Sequence, residues 1–306
     1  MTSSTAPMTP DFEVKLLLNP STVLDPTTSK PLPAFLSLFN PDSSTKPTPI
    51  QMTVAFLDTD ETQKIYQAGW SPRIRRMKDE PKKIELTYKK RYPVPLDVPL
   101  PDVGSPLTTY NADPNTPVSV LSTAIDSVLA QASSDGFDAS ESGDYDAQIE
   151  WGYAKLTLSI SKKKKEKAAD WNIPVPGSGS QGPIELPDEE TCRRMLVKTA
   201  PKTFDNWGGV KGWGTDELSR SRIYGPVFAE RYEGVWNGLE VDIEIWPIKA
   251  AEGTGAEWEN TVEISFKTEE IAQAKEKQGE LLALLKEAGY WKEGDSLKTG
   301  YIMERY

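Results

Sequence analysis

The chain has 306 residues, 37% of them apolar, and 46 acidic against 35 basic side chains give it a formal charge of −11. That length can bury a substantial core, and the acidic balance excludes wholesale binding to nucleic acid or to an anionic membrane, both of which need a net basic surface. A single cysteine, Cys192, and no histidine remove disulfide frameworks, cysteine zinc clusters, histidine bases and histidine-ligated metals, leaving chemistry to carboxylates, lysine, arginine, hydroxyls and hard, oxygen-binding cations.

The first ten residues read as a disordered tail without the basic region and apolar run of a secretory signal, and no stretch approaches the roughly 18 continuous apolar residues of a membrane helix. A cytoplasmic protein is expected, with no DNA and no membrane among its partners and a homodimer left open. Residues 11–15, D-F-E-V-K, alternate like a strand, placing Asp11, Glu13 and Lys15 on one face and Phe12 and Val14 on the other. Residues 19–49 are rich in Pro, Ser and Thr around A-F-L-S-L-F (34–39) and read as irregular structure with one short helix or strand. Q-M-T-V-A-F-L-D-T (51–59) alternates as a strand, and D-E-T-Q-K-I-Y-Q-A-G (60–69) has the acidic start and glycine end of a short helix. S-P-R-I-R-R (71–76) and K-I-E-L-T-Y-K-K-R-Y (83–92) are two more strands.

Seven prolines between 93 and 117 mark a long loop, and apolar spacing of three and four predicts a helix over 118–132. Residues 149–161 read as a strand ending in K-K-K-K (162–165), a solvated strand end rather than a nucleic-acid patch, before a Gly, Pro and Ser-rich loop to 187. D-E-E-T-C-R-R-M-L-V-K-T (188–199) starts acidic and ends basic, as a helix complementing its own dipole does. Trp207 and Trp213, in D-N-W-G-G-V-K-G-W-G, suit core and loop packing, with a lid over a site as the functional alternative. The glycine run is not a phosphate-binding loop, lacking the G-K-[ST] ending. R-Y-E-G-V-W and L-E-V-D-I-E-I-W flank Asn237-Gly238, a strong hairpin signal. A strand V-E-I-S-F-K (262–267) and a long helix over about 268–288 follow. One domain over 11–306 is expected, with insertions at about 93–148 and 162–187. Cys192 reads as a small apolar packing residue.

Six strands share one peculiarity: a clean apolar face and a face of mixed charge. Arg73 and Arg75 share a face, as do Glu85, Thr87 and Lys89; Lys155, Thr157, Ser159 and Ser161; Glu240, Asp242 and Glu244; and Glu263, Ser265 and Lys267. An open sheet with one wet side explains any one of them. The sorting of basic strands from the acidic one after Gly238 favours instead an α+β fold in which the sheet closes into a barrel, turning its charges into a polar lumen and its apolar faces toward helices packed outside. Desolvated like charges cost several kcal/mol each, so a guest must balance them. Lysines and arginines suit phosphate oxygens, and carboxylates suit Mg²⁺ or Mn²⁺.

These runs resemble CYTH-domain proteins, the triphosphate tunnel metalloenzymes. D-F-E-V-K is similar to the E-x-E-x-K signature with Asp11 in place of the first Glu; F-L-D-T (56–59), A-G-W-S-P-R-I-R (68–75), E-L-T-Y-K (85–89), the strand pair V-D-I-E-I and V-E-I-S-F-K, and S-L-K-T-G-Y (296–301) follow in the family's order. The resemblance implies an eight-stranded antiparallel tunnel that hydrolyses inorganic triphosphate, thiamine triphosphate or RNA 5′-triphosphate ends, or cyclises ATP. It implies Asp11, Glu13 and Glu263 as ligands of Mg²⁺ or Mn²⁺, with Asp242 and Glu244 either compensating as ligands or orienting lysines. It makes Lys15, Arg73, Arg75 and Lys89 the polyphosphate grip, with Arg231 and Lys155 as further contacts, and Glu13, Lys15 and Arg73 the residues on which catalysis rests. Two positions depart from the pattern: Ser265 stands where a second carboxylate is common, and Asp11 draws its carboxylate back by about 1 Å. The expected function is metal-dependent cleavage of a phosphoanhydride in a small phosphorylated substrate. The alternatives are a lyase or cyclase acting on an organic diphosphate or nucleotide, and a polyphosphate binder without turnover.

Overall fold

The computed structural model describes residues 8–40, 48–96, 116–137, 145–177, 182–295 and 298–306. Parts of the expected tail (1–7) and of both expected insertions (97–115, 138–144 and 178–181) lie outside the described residues, as do 296–297 of S-L-K-T-G-Y.

Nine strands among the described residues close into one barrel: β1 (Asp11–Leu18), β2 (Ile50–Thr59), β3 (Trp70–Met77), β4 (Lys83–Pro93), β5 (Asp146–Trp151), β6 (Leu156–Lys167), β7 (Ser221–Trp236), β8 (Leu239–Lys249) and β9 (Trp258–Thr268). Around the barrel they run β1-β5-β6-β4-β3-β2-β7-β8-β9, and β9 pairs back onto β1. Helices α1 (Pro20–Val23), α2 (Pro33–Leu36), α3 (Lys64–Gln67), α4 (Val118–Ser134), α5 (Glu189–Thr199), α6 (Lys202–Asp205), α7 (Trp213–Ser219), α8 (Ile271–Glu287) and α9 (Lys298–Arg305) complete it. None of these helices is long and apolar enough to cross a membrane.

The barrel corrects the expectation of eight antiparallel strands. Residues 149–161 are not one strand but parts of the two strands of the hairpin β5–β6, and β5 joins β1 in parallel, Glu13 opposite Glu150. The sheet is therefore mixed. The lysine run is not a strand end either, because β6 continues through Lys167 against β4, although Lys163, Lys164 and Lys165 are exposed. The single short element expected within 19–49 is two short helices, α1 and α2.

Alternation with period two decides which side of each strand meets the helices. Phe12, Val14 and Leu16 of β1, Ile74 of β3, Leu86 and Tyr88 of β4, and Val241, Ile243 and Ile245 of β8 all join one large outer core. Helix α8 packs on β1 and β9 through Ala274, Leu281, Leu282 and Leu285, one stripe at helical spacing. Each fully buried leucine of that stripe contributes about 1.5–3 kcal/mol. Asp188 caps α5 by accepting from the Thr191 amide, 2.8 Å. Trp207 packs edge-on against Trp70 and Trp213 against Phe204, both on the outside of the barrel, so they serve packing and not a lid over the lumen. Cys192 is fully buried, and burial pushes its thiol up to about 12. The Asn237-Gly238 turn has positive φ at both residues, 49° and 78°, which sets the register of β7 and β8.

Candidate active site: a charged lumen

The residues left facing inward are the charged set. Asp11, Glu13, Lys15, Arg73, Arg75, Lys89, Arg231, Asp242, Glu244 and Glu263 all line one cavity of about 840 Å³. Arg91, Lys163, Lys267 and Lys298 also line it, so nine basic side chains face six acidic ones there. A chain with net charge −11 thus carries a locally basic interior, which is what an anionic guest requires. Asp11 lies at the exposed rim. Lys155 is set apart: it is exposed in the β5–β6 turn and lines a smaller chamber of about 180 Å³ with Lys15, Arg91, Glu150 and Lys298.

The arginines come from β3, where Arg73 and Arg75 lie across the ladder from Phe56 and Val54. Arg75 donates to Glu85, 2.7 Å, and Arg73 to Thr87, 3.2 Å, while the Nε of each arginine is buried without a partner. Burial, with Arg75 beside it, pushes Arg73 down to about 10. Burial likewise pushes the Lys89 ammonium down to about 8, despite the opposing pull of Glu150. These are cations held close together with unused donors, a state that phosphate oxygens relieve.

The carboxylates are not in the same condition. Lys15 Nζ lies 2.7 Å from Glu13 Oε2 and 3.6 Å from Glu150 Oε1. Glu150 also takes Lys89 at 2.6 Å and Arg91 at 3.5 Å, which makes a waist across the lumen. On the other wall Lys298, from the first turn of α9, bridges Glu244 at 2.7 Å and Glu263 at 2.8 Å, and Arg231 adds 2.9 Å to Glu244. Burial would raise these acids, but the lysines override it and hold Glu13 and Glu244 below the usual carboxylate range and Glu150 well below it. Asp242 differs: burial pushes it up, although Arg231 lies 3.6 Å away. Glu263 keeps one oxygen, Oε2, buried and without a partner.

This arrangement does not fit a Mg²⁺ or Mn²⁺ ion held by Asp11, Glu13 and Glu263. Among the described residues no three acidic side chains are gathered to hold a metal. Glu13 faces Lys267 and Glu263 faces Leu17 along β1–β9, four residues apart in register, and each is committed to a lysine. Glu244 takes Lys298 at 2.7 Å and Arg231 at 2.9 Å, and Asp242 lies 3.6 Å from Arg231.

Part of the one-sided lumen is apolar. Met52, Val54 and Phe56 of β2, Tyr224, Val227 and Ala229 of β7, and Trp246 and Ile248 of β8 form a second core with Ile302 and Met303, so α9 rests on the inward side of the barrel. Trp246 donates to Glu244, 3.0 Å, and lies 4.9 Å from the Lys298 ammonium.

Sequence reasoning did not single out Glu150, Arg91 or Lys298. Glu150 continues D-A-Q-I-E-W, whose alternating polar set Asp146, Gln148 and Glu150 is readable once the strand is begun at Asp146. Arg91 extends the Glu85, Thr87, Lys89 series by one step. Lys298 stands in S-L-K-T-G-Y, one of the runs that resemble the family, but nothing in that run marks this lysine as a partner of the lumen carboxylates.

No family model and no curated protein matches the chain. Solved structures similar to it include an adenylyl cyclase candidate from Hippeastrum, described as having a dominant triphosphatase activity, at 15% identity, with 96% of each chain covered and a TM-score of 0.43. An adenylate cyclase candidate from Bacillus halodurans is similar at 11% identity, covering 95% of this chain and 97% of that one, TM-score 0.41. A protein from Pyrococcus horikoshii is similar at 11% identity, covering 96% and 99%, TM-score 0.38. The closed barrel with its charged lumen and outer helices is the architecture that resemblance to the triphosphate tunnel family implies, apart from the ninth strand and the parallel pair.

Proposed function

We propose that this chain is a tunnel protein of the CYTH, or triphosphate tunnel, kind, which draws the phosphate chain of a triphosphate compound into the lumen and hydrolyses its phosphoanhydride. The observation that carries the reading is the pair of half-buried arginines, Arg73 and Arg75, whose Nε atoms are buried without a partner and which line a cavity of about 840 Å³ from the strand four places around the barrel from Glu263. In this reading Arg73, Arg75 and Lys89 hold the phosphate oxygens and neutralise charge on the departing phosphate, with Lys15 and Arg231 extending the grip along the chain. The free Oε2 of Glu263 orients a water for in-line attack and takes its proton as the new P–O bond forms and the bridging P–O bond breaks. The apolar wall of Phe56 and Trp246 beside the arginines favours a substrate with an organic group on its phosphate chain.

Colorimetric phosphate release from inorganic triphosphate and from organic triphosphates tests this. Release in the wild type, reduced about 100-fold or more in Arg73→Ala and in Glu263→Gln, is expected. Equal rates in both variants contradict the roles given to them. A second reading, a polyphosphate binder without turnover, is favoured by the lysines already bound to Glu13, Glu150, Glu244 and Glu263. Calorimetric binding of triphosphate with no phosphate release selects it. A lyase or cyclase working in the same lumen is selected instead by an organic product without stoichiometric hydrolysis, seen by mass spectrometry.

A further inference from the structure

The lumen contains two cross-strand pairs of glutamates, and each pair is spanned by a lysine. Glu13 stands opposite Glu150 on β1–β5, with Lys15 between; Glu244 stands opposite Glu263 on β8–β9, with Lys298 between. Like charges directly opposite on neighbouring strands repel, and burial strengthens the repulsion, so each pair demands a cation. A divalent ion and an ammonium both answer that demand. Geometry separates them, since Mg²⁺ needs oxygens at about 2.0–2.1 Å in octahedral array whereas an ammonium donates along three directions to oxygens near 2.8 Å.

The second pair meets the ammonium requirement closely. Lys298 Nζ lies 2.7 Å from Glu244 Oε2 and 2.8 Å from Glu263 Oε1, so the charge sits where the two carboxylates converge. It is delivered by a different element, the first turn of α9, whose Ile302 and Met303 are buried against the inward side of β2, β7 and β8. The ammonium lies 4.9 Å from the Trp246 ring, whose indole N–H donates to the same Glu244 oxygen. The helix is thus anchored by apolar contacts and presents one charge to one acidic pair.

We infer that Lys298 is the built-in cation of the Glu244–Glu263 pair: the ammonium occupies the place a divalent ion would take, and the resting protein holds no divalent ion there until that ammonium is removed. The inference deepens the tunnel reading but does not depend on turnover, and its test uses no phosphate compound, so failure of one is distinguishable from failure of the other.

The test is a Mn²⁺ titration of the full chain, followed by electron paramagnetic resonance of the free ion, on the wild type, Lys298→Met, Glu263→Gln and the double variant Lys298→Met/Glu263→Gln. The wild type is expected to take up Mn²⁺ no better than Glu263→Gln. Lys298→Met is expected to gain one site at least about tenfold tighter, and the double variant to lose it. A wild-type Mn²⁺ site that Glu263→Gln abolishes overturns the inference, as does a folded Lys298→Met protein with no gain. The wild-type and Glu263→Gln arms decide the matter even if Lys298→Met fails to fold.

Discussion

The inward wall of this barrel is two surfaces built on one alternation. On β1, β3, β4, β5 and β9 the inward positions carry Glu13, Lys15, Arg73, Arg75, Lys89, Glu150 and Glu263, tied by short ion pairs across a cavity. On β2, the first half of β7 and the end of β8 they carry Met52, Val54, Phe56, Val227, Ala229, Trp246 and Ile248, closed over by α9. The two meet on the β2–β3 ladder, where Phe56 faces Arg73. The apolar half is satisfied by the protein's own helix, whereas the charged half leaves arginine donors and a glutamate oxygen unused. A guest therefore belongs to the charged half, and changes in each half should register in different measurements.

The largest effect is expected at the waist. Glu150→Ala leaves Lys15, Lys89 and Arg91 without their shared partner, and breaking a buried ion pair from one side costs about 3–5 kcal/mol. Urea unfolding should show that loss, and inorganic triphosphate should recover more stability in the variant than it adds to the wild type. An unchanged midpoint breaks the claim that the three cations depend on Glu150.

Next in size is the apolar half. Trp246→Leu removes the indole donor to Glu244 and the ring beside Lys298, at about 1–2 kcal/mol of stability. The same change should alter affinity for inorganic triphosphate less than about threefold, as a change outside the charged half requires. Equal losses in stability and in affinity for inorganic triphosphate erase the distinction between the two halves.

Much of this division was legible in the sequence. The inward sets of β1, β3, β4, β8 and β9 follow from period two alone, since one residue of slip would bury every charge against the outer helices. The ninth strand was not legible, because β5 is short and its pairing with β1 joins residues 11–14 to 148–151, a contact that no local pattern encodes. The neutralisation of the carboxylates was hidden for a related reason. Glu263 and Lys298 are 35 positions apart and meet only through the packing of α9, so a string of acids read as metal ligands becomes a set of lysine partners in three dimensions.

A smaller effect is expected from pH. Burial holds Lys89 at about 8, so its ammonium is present below that value and lost as pH rises through it. Bound phosphate favours the charged form, so binding takes up a proton above pH 8, and affinity for triphosphate should fall by about 3–10-fold between pH 7 and pH 9.5. Lys89→Arg, which keeps its charge, should flatten that profile; an equally steep profile in the variant assigns the titration elsewhere. The smallest effect is expected at Lys155, exposed and outside the main cavity, where Lys155→Ala should leave triphosphate affinity unchanged within about twofold.

The central claim is that the charged half is a phosphate-chain site, and isothermal titration of inorganic triphosphate into the wild type, Arg73→Ala and Arg75→Ala tests it most directly. Binding to the wild type that weakens about 10–100-fold in each variant is the result this account predicts. No binding to the wild type, or the same affinity in all three proteins, contradicts it.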